Sequence, residues 1–283
     1  MPLFPRVLTP LRFRLPLGRS VSTLTFQPQP ALDGGFTHAI NSSTAFAPQP
    51  AIIVLQEWWG INDQIKDHAQ RLANETGATA IIPDLYNGKS TLDAEEASHL
   101  MSNLDWTKAL GELEELVVDL RKGENAERKI GAVGFCMGGA LSLALASKLS
   151  KSPHPLNAVS SFYGTPSAEH FDIGSIPIVT PCQAHFGEKD EFAGFSDVET
   201  AKKLEKAWTE AIKTHGGFHA KGLHKLEANV YIYPGQGHAF MNNLSWAIAK
   251  RSELGFVGGF DPDLVNTAWR RTFHFFIEHL KTL

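Results

Sequence analysis

A three-layer α/β sandwich built around a mostly parallel central sheet is the fold class that this 283-residue sequence predicts, and three features carry the prediction. Short, continuous apolar runs rich in β-branched residues recur along the chain, as strands of a parallel sheet covered on both faces require. Between them lie segments with apolar positions three and four residues apart, the spacing of helices that pack one face onto a sheet. The third feature is the run Lys129-Ile130-Gly131-Ala132-Val133-Gly134-Phe135-Cys136-Met137-Gly138-Gly139, which passes directly into the small, apolar segment 140–146. It reads as strand, sharp turn and helix, with Cys136 at the corner.

The elements follow in chain order. Residues 1–32 hold Arg6, Arg12, Arg14 and Arg19, a run of hydroxyls at 20, 22 and 23, and no acid before Asp33. That is the composition of an organelle transit peptide, so the expectation is a mitochondrial protein with a leader over 1–32 and one domain over 33–283. A cytoplasmic protein with a disordered leader, or a first strand over 22–28, is the alternative. The formal charge of −4 would shift to about −8 on cleavage near residue 20, because 22 basic residues would then face 30 acidic ones.

Residues 34–40 suit an edge strand and 41–50 a loop. Ala51–Leu55 is a buried strand ending in Gln56-Glu57-Trp58-Trp59-Gly60. Ile65, Ala69, Leu72 and Ala73 space a helix over 62–76, capped by Asn62 or Asp63 and stopped at Gly77. A strand over 78–85, a turn over 86–90 and helices over 93–103 and 105–121 come next. The corner strand and its helix, to Lys148, precede strands over 157–163 and 179–187, a helix over 197–214 and a last strand over 228–233. The final helix spans 262–280, with Phe273, Phe276 and Ile277 expected to face the core. Two stretches lack a period. Residues 213–225, with His215, His219 and His224, read as a solvated loop, whereas 242–261 carries Trp246, Phe256 and Phe260 just beyond the last strand, where it would cover a pocket.

Composition excludes several functions. A net charge of −4 and a pI near 6.3 argue against nucleic-acid binding, and no run approaches 18 apolar residues, so no membrane span is expected. Two cysteines, Cys136 and Cys182, cannot make a disulfide framework and suit a reducing compartment. Cys182 lies in an apolar strand and reads as core. With no Cys-x-x-Cys or His-Glu-x-x-His pattern, neither a metal nor an organic cofactor is expected.

The spacing Gly134-Phe135-Cys136-Met137-Gly138 is the cysteine form of a nucleophile elbow. Side chains in place of its glycines would collide with the neighbouring strand or helix. The turn also sets the Met137 N–H at a helix start, where the dipole favours a thiolate and a developing oxyanion. A nucleophile needs a base, and the base an orienting acid. Gly187-Glu188-Lys189-Asp190-Glu191-Phe192 follows one strand and Gly235-Gln236-Gly237-His238-Ala239-Phe240 follows the last. The order Cys136, Asp190, His238 is the nucleophile, acid, histidine order of the α/β-hydrolase fold. Glu188 competes for the acid role, Asp190 could instead be only a turn former, and His238 a structural histidine.

Gln56-Glu57-Trp58-Trp59-Gly60, Pro83-Asp84-Leu85-Tyr86, the elbow through Gly139, Tyr163-Gly164, Gly187-Glu188-Lys189-Asp190, Gly237-His238-Ala239-Phe240 and Ala268-Trp269-Arg270-Arg271-Thr272 together resemble the dienelactone hydrolase (carboxymethylenebutenolidase) family. They occur in family order across residues 51–280. The resemblance implies an α/β-hydrolase that cleaves an ester or lactone through a Cys136–His238–Asp190 triad and a thioester acyl-enzyme. It implies that Glu57 contacts the resting thiol and helps form the thiolate, the alternative being that Glu57 caps the helix starting near Asn62. Trp58 and Met137 would supply the oxyanion N–H groups, with Trp59, Phe192 and Phe240 as substrate contacts.

The sequence departs from that family in one respect. Members that cleave dienelactone hold the substrate carboxylate with arginines, one after the Asp-Leu-Tyr motif and one shortly after the Gly-His motif. Here the helix over 93–104 has none, and Ala239-Phe240-Met241-Asn242 follows His238. Lys89 could replace one contact. A neutral or bulkier small-molecule ester, lactone or thioester is therefore expected at least as much as dienelactone, acted on by a monomer or weak dimer. The reading from another class is a weakly catalytic relative that binds a small molecule or senses oxidation through Cys136.

Overall fold

In chain order the computed structural model runs β1 (Phe36–Ile40), β2 (Ala51–Leu55), α1 (Asp63–Thr76), β3 (Thr79–Pro83), α2 (Ala94–Ser102), α3 (Trp106–Leu120), β4 (Ile130–Phe135), α4 (Met137–Leu149), β5 (Ala158–Phe162), β6 (Cys182–Gly187), α5 (Val198–Thr214), β7 (Ala228–Tyr233), α6 (Ser245–Glu253) and α7 (Pro262–His279). The structure describes residues 36–40, 49–216 and 226–281. The expected leader over 1–32 and most of the histidine-bearing loop, 217–225, lie outside the described residues.

The strands form one sheet in the order β1-β3-β2-β4-β5-β6-β7. Only β1, at the edge, is antiparallel; every other neighbouring pair is parallel. Side chains of β2 alternate between two cores, as the twofold period of a strand demands. Ala51, Ile53 and Leu55 face α3, α4 and α5, while Ile52 and Val54 face α1 and α7. All five are fully buried, and each Ile, Val or Leu side chain so removed from water contributes about 2 kcal/mol before its entropy cost. The predicted three layers are thus present.

α4 is buried almost all round, with only Lys148 reaching solvent among its thirteen residues. Its small, apolar sequence suits a central helix pinned between the sheet and α3. The side chains of Asn62, Asp93, Asp105, Asp197 and Asp261 each accept a backbone N–H at the start of α1, α2, α3, α5 and α7, a cap worth about 1 kcal/mol apiece. Gly77 stops α1 with a left-handed φ of 73°. No helix among the described residues is long and apolar enough to cross a membrane.

Three expectations are corrected. β6 begins at Cys182 rather than 179, because Ile176–Ile178 forms a 3-10 turn and prolines at 177 and 181 punctuate the approach. Residues 242–261, read as aperiodic, contain α6, a helix too short and too polar to leave a clear apolar stripe. Ile277 is 39% exposed, not core. α7 buries Val265, Ala268, Trp269, Thr272, Phe275 and Phe276, and position 277 falls on the far side of that stripe.

Candidate active site

Every parallel strand sends a residue of interest to one place from its carboxyl end, the edge of an open sheet where ligand sites form, Tyr86 after β3 donating its OH to Met137 Sδ at 3.3 Å. β4 runs into Cys136, whose φ of 54° and ψ of −118° turn the chain into α4 within one residue. The turn survives because side chains are missing around it. A Cβ on Gly134 would lie 1.9 Å from the Gly138 carbonyl oxygen, one on Gly138 2.3 Å from that of Leu55, and one on Gly164 2.0 Å from that of Cys136. The Cys136 N–H donates to the Phe162 carbonyl at 3.0 Å, and its own carbonyl accepts from Ala140. A non-glycine residue at positive φ stores about 1–3 kcal/mol of strain, which this packing over-determines.

The sulfur of Cys136 lies 3.2 Å from His238 Nε2, and His238 Nδ1 lies 2.8 Å from Asp190 Oδ2. Asp190 comes from the β6–α5 loop, its side chain fully shielded, with Oδ1 accepting the Phe192 N–H at 3.2 Å. Glu188, the rival acid, is exposed and accepts instead from the Gly235 N–H. Ser196, which no sequence pattern marked, is buried beside the ring with Oγ 3.2 Å from Nδ1. Burial alone would lower the His238 pKa. Beside a Cys136 thiolate, that charge and the bonds to Asp190 and Cys136 outweigh it and push the His238 pKa up to about 10.

Glu57 is 7% exposed and lines the same cavity as Cys136. It caps nothing, since Asn62 caps α1. Tyr163 OH donates to its Oε1 at 3.2 Å and Asn242 Nδ2 to its Oε2 at 3.0 Å. Among the described residues no hydrogen bond joins Glu57 to Cys136, and these two bonds hold both carboxylate oxygens. Burial raises the Glu57 pKa, against the opposing pull of Asn242, the His238 imidazolium, Tyr163 and Arg251. Arg251, on α6, is itself buried, and its guanidinium donates to the Gly258 carbonyl at 3.4 Å. Sequence reading gave Tyr163 no role, noted Asn242 only as a missing arginine, and passed over Arg251 inside an unrecognised helix.

The Trp58 and Met137 backbone N–H groups, at the starts of the β2–α1 and β4–α4 connections, find no hydrogen-bond partner among the described residues. Trp59 and Phe192 line the cavity. Phe240 does not. It is fully buried in the aromatic layer under the site, 5.4 Å from the Tyr163 ring and 5.0 Å from Tyr233. Ala239, at φ 57°, reverses the chain after His238 and drives the next side chain inward. Lys89 is exposed and outside the lining.

Phe256, from the stretch expected to cover a pocket, stands edge-on to His238 with centroids 5.3 Å apart, and Phe192 does the same at 4.6 Å. The segment carrying Phe256 can lie this close because Gly237 has no side chain; a Cβ there would meet the Val257 carbonyl oxygen at 1.6 Å. The two rings screen the imidazole from water. The cavity, half open to solvent, holds about 450 Å³. The one grouping of metal-type ligands among the described residues, Glu227, Glu278 and His279, sits at the opposite end of the sheet, where His279 Nε2 is already 2.9 Å from Glu227.

Residues 37–280 match the dienelactone hydrolase family. The chain is 30% identical over 240 residues to protein usf of Aquifex pyrophilus, covering 82% of this chain and 89% of that one. It is 29% identical over 170 residues to the carboxymethylenebutenolidase of Pseudomonas putida, covering 56% and 69%. Among solved structures it resembles the dienelactone hydrolase-like promiscuous phosphotriesterase P91 from metagenomic libraries, with a TM-score of 0.65, 20% identity, and 86% and 92% of the two chains covered. It also resembles the dienelactone hydrolase of Anabaena variabilis, with a TM-score of 0.51, 16% identity, and 86% and 91% covered. At such identities the structural likeness is one of fold.

Proposed function

The chain belongs to the dienelactone hydrolase family, hydrolases of ester and lactone bonds, and from that premise we propose that it hydrolyses its substrate through Cys136 as nucleophile. The observation that carries this reading is the unbroken series Cys136 Sγ, His238 Nε2, His238 Nδ1, Asp190 Oδ2, with contacts of 3.2 and 2.8 Å from three separate loops. The thiolate attacks the carbonyl carbon and the carbonyl π pair moves to oxygen. The unpartnered N–H groups of Met137 and Trp58 receive that oxyanion, aided by the start of α4. As the tetrahedral species collapses, the His238 imidazolium gives its proton to the leaving alkoxide and a thioester remains. His238, now neutral and held by Asp190, takes a proton from water; the hydroxide attacks the thioester, and the acid departs as the thiolate reforms.

A carboxylate beside a thiolate opposes its ionisation. Burial favours the neutral form of Glu57, and Tyr163 and Asn242 donate to its two oxygens, so the repulsion is reduced. The test is hydrolysis of p-nitrophenyl acetate by wild type, Cys136→Ala and Cys136→Ser, with intact-mass spectrometry for an acetyl adduct. The expected result is a loss of about 10³-fold or more in both variants and an adduct on wild type alone. Wild-type rates in Cys136→Ala would refute the cysteine mechanism. The arginine-rich, acid-free leader further supports mitochondrial import, which fails if residues 1–32 leave a fused reporter in the cytosol.

A further inference from the structure

We infer that the cavity selects uncharged, flat, apolar substrates and rejects those bearing a carboxylate, and that Met101 on α2 is a residue that sets this selection; the inference rests on the reading of this cavity as the site of hydrolysis. Its walls are large and apolar, with Trp58, Trp59, Phe192, Phe195 and Phe256 supplying rings and Met101 a polarisable thioether. Flat π-faced substrates complement such walls by stacking and S–aromatic contact. Among the described residues no lysine or arginine lines the cavity.

The remaining ionisable groups decide the sign. Glu57 and Glu191 are both on the lining, and the imidazolium of His238 is spent on Asp190 and the sulfur. The other buried cation that acts on Glu57, Arg251, is only 4% exposed, bonds the Gly258 carbonyl and lies outside the lining. A carboxylate entering would therefore shed its hydration without gaining a cation or a bidentate guanidinium in return. Glu191 is exposed, so its repulsion is screened by salt; the lost hydration is not, and it is the larger effect. Met101 is the lining residue on α2, a half-buried helical position at the edge of the core that already holds a long, flexible side chain.

The test uses two inert amides that differ only by a carboxylate, acetanilide and 4-acetamidobenzoate, with affinity read from quenching of the tryptophan fluorescence that Trp58 and Trp59 supply. Acetanilide should bind wild type about tenfold more tightly or better, a gap of ~1.4 kcal/mol. The ratio should persist from about 0.05 M to about 0.5 M salt, because desolvation is not screened. Met101→Arg should shrink the ratio by about threefold or more, by adding the missing cation. Equal or tighter binding of the carboxylate to wild type overturns the inference, and an unchanged ratio in a folded Met101→Arg removes Met101 from it. Neither amide is turned over, so failure of the cysteine mechanism would show in the ester assay and leave this result standing.

Discussion

Gly164→Ala tests whether the elbow is held from outside its own sequence. Gly164 follows β5, twenty-eight residues beyond Cys136, and its φ is not in the left-handed region, so backbone conformation alone would permit alanine. Space does not. The added Cβ would sit 2.0 Å from the Cys136 carbonyl oxygen, 2.9 Å from Ala140 N and 3.0 Å from the Cys136 carbonyl carbon. Ordinary contact begins at 3.4 Å, so the two backbones must part by about 1.4 Å, and neither is a flexible side chain that could swing aside. Overpacking of this kind costs about 1–3 kcal/mol, and rigid backbone on both sides places it at the upper end. Thermal unfolding should then fall by roughly 6–12 °C for a domain of this size. A nucleophile displaced by about 1 Å loses of order 10²-fold in rate. The assays are calorimetry and p-nitrophenyl acetate hydrolysis, with Gly111→Ala as control. Gly111 lies within α3 with nothing within 4 Å of the new methyl, so alanine there should stabilise by up to ~1 kcal/mol and leave the rate unchanged. A folded Gly164→Ala enzyme with a melting point within about 2 °C of wild type and activity within about threefold would refute the packing account.

Three further outcomes are expected. Glu57 has a folded pKa above its ordinary 4.5, so the folded wild-type protein binds the proton more tightly than the unfolded chain and loses stability as pH rises through and beyond 4.5. Glu57→Gln has no such ionisation, and the Tyr163 hydroxyl can turn to accept from the new amide. Its melting point should therefore gain on wild type as pH rises above 4.5; a gap that is flat or shrinks as pH rises from 4.5 would show that burial does not raise the Glu57 pKa. Phe240→Ala should cost about 3–5 kcal/mol through the cavity it leaves in the aromatic layer, with KM for an aryl ester little changed. Phe192→Ala, at a position 44% exposed, should do the reverse, raising KM with less than about 1 kcal/mol of destabilisation. A folded Phe240→Ala protein of normal melting point and raised KM would return Phe240 to the substrate.

Amino-acid order by itself determined the elements whose cause is local. Strands read as β-branched runs, and α1 as an apolar stripe with Asn62 or Asp63 as its cap, because each signal lies within one turn or one pleat of the residues it governs. The order of Cys136, Asp190 and His238 was legible for the same reason, each standing in a turn directly after a strand. α6 was not legible, since nine residues with two buried positions leave no stripe. What only the tertiary structure decided is which groups meet across the sheet. Ser196 reaches His238 over forty-two residues, and Asn242 reaches Glu57 over one hundred and eighty-five. No periodicity spans such separations. Ala239 turns Phe240 from the cavity to the core through a single positive φ, which nothing about an alanine announces. The charge of the cavity is of the same kind: Arg251 is near Glu57 yet outside the cavity lining, and that placement is a property of the packed fold, not of the residue's place in the chain.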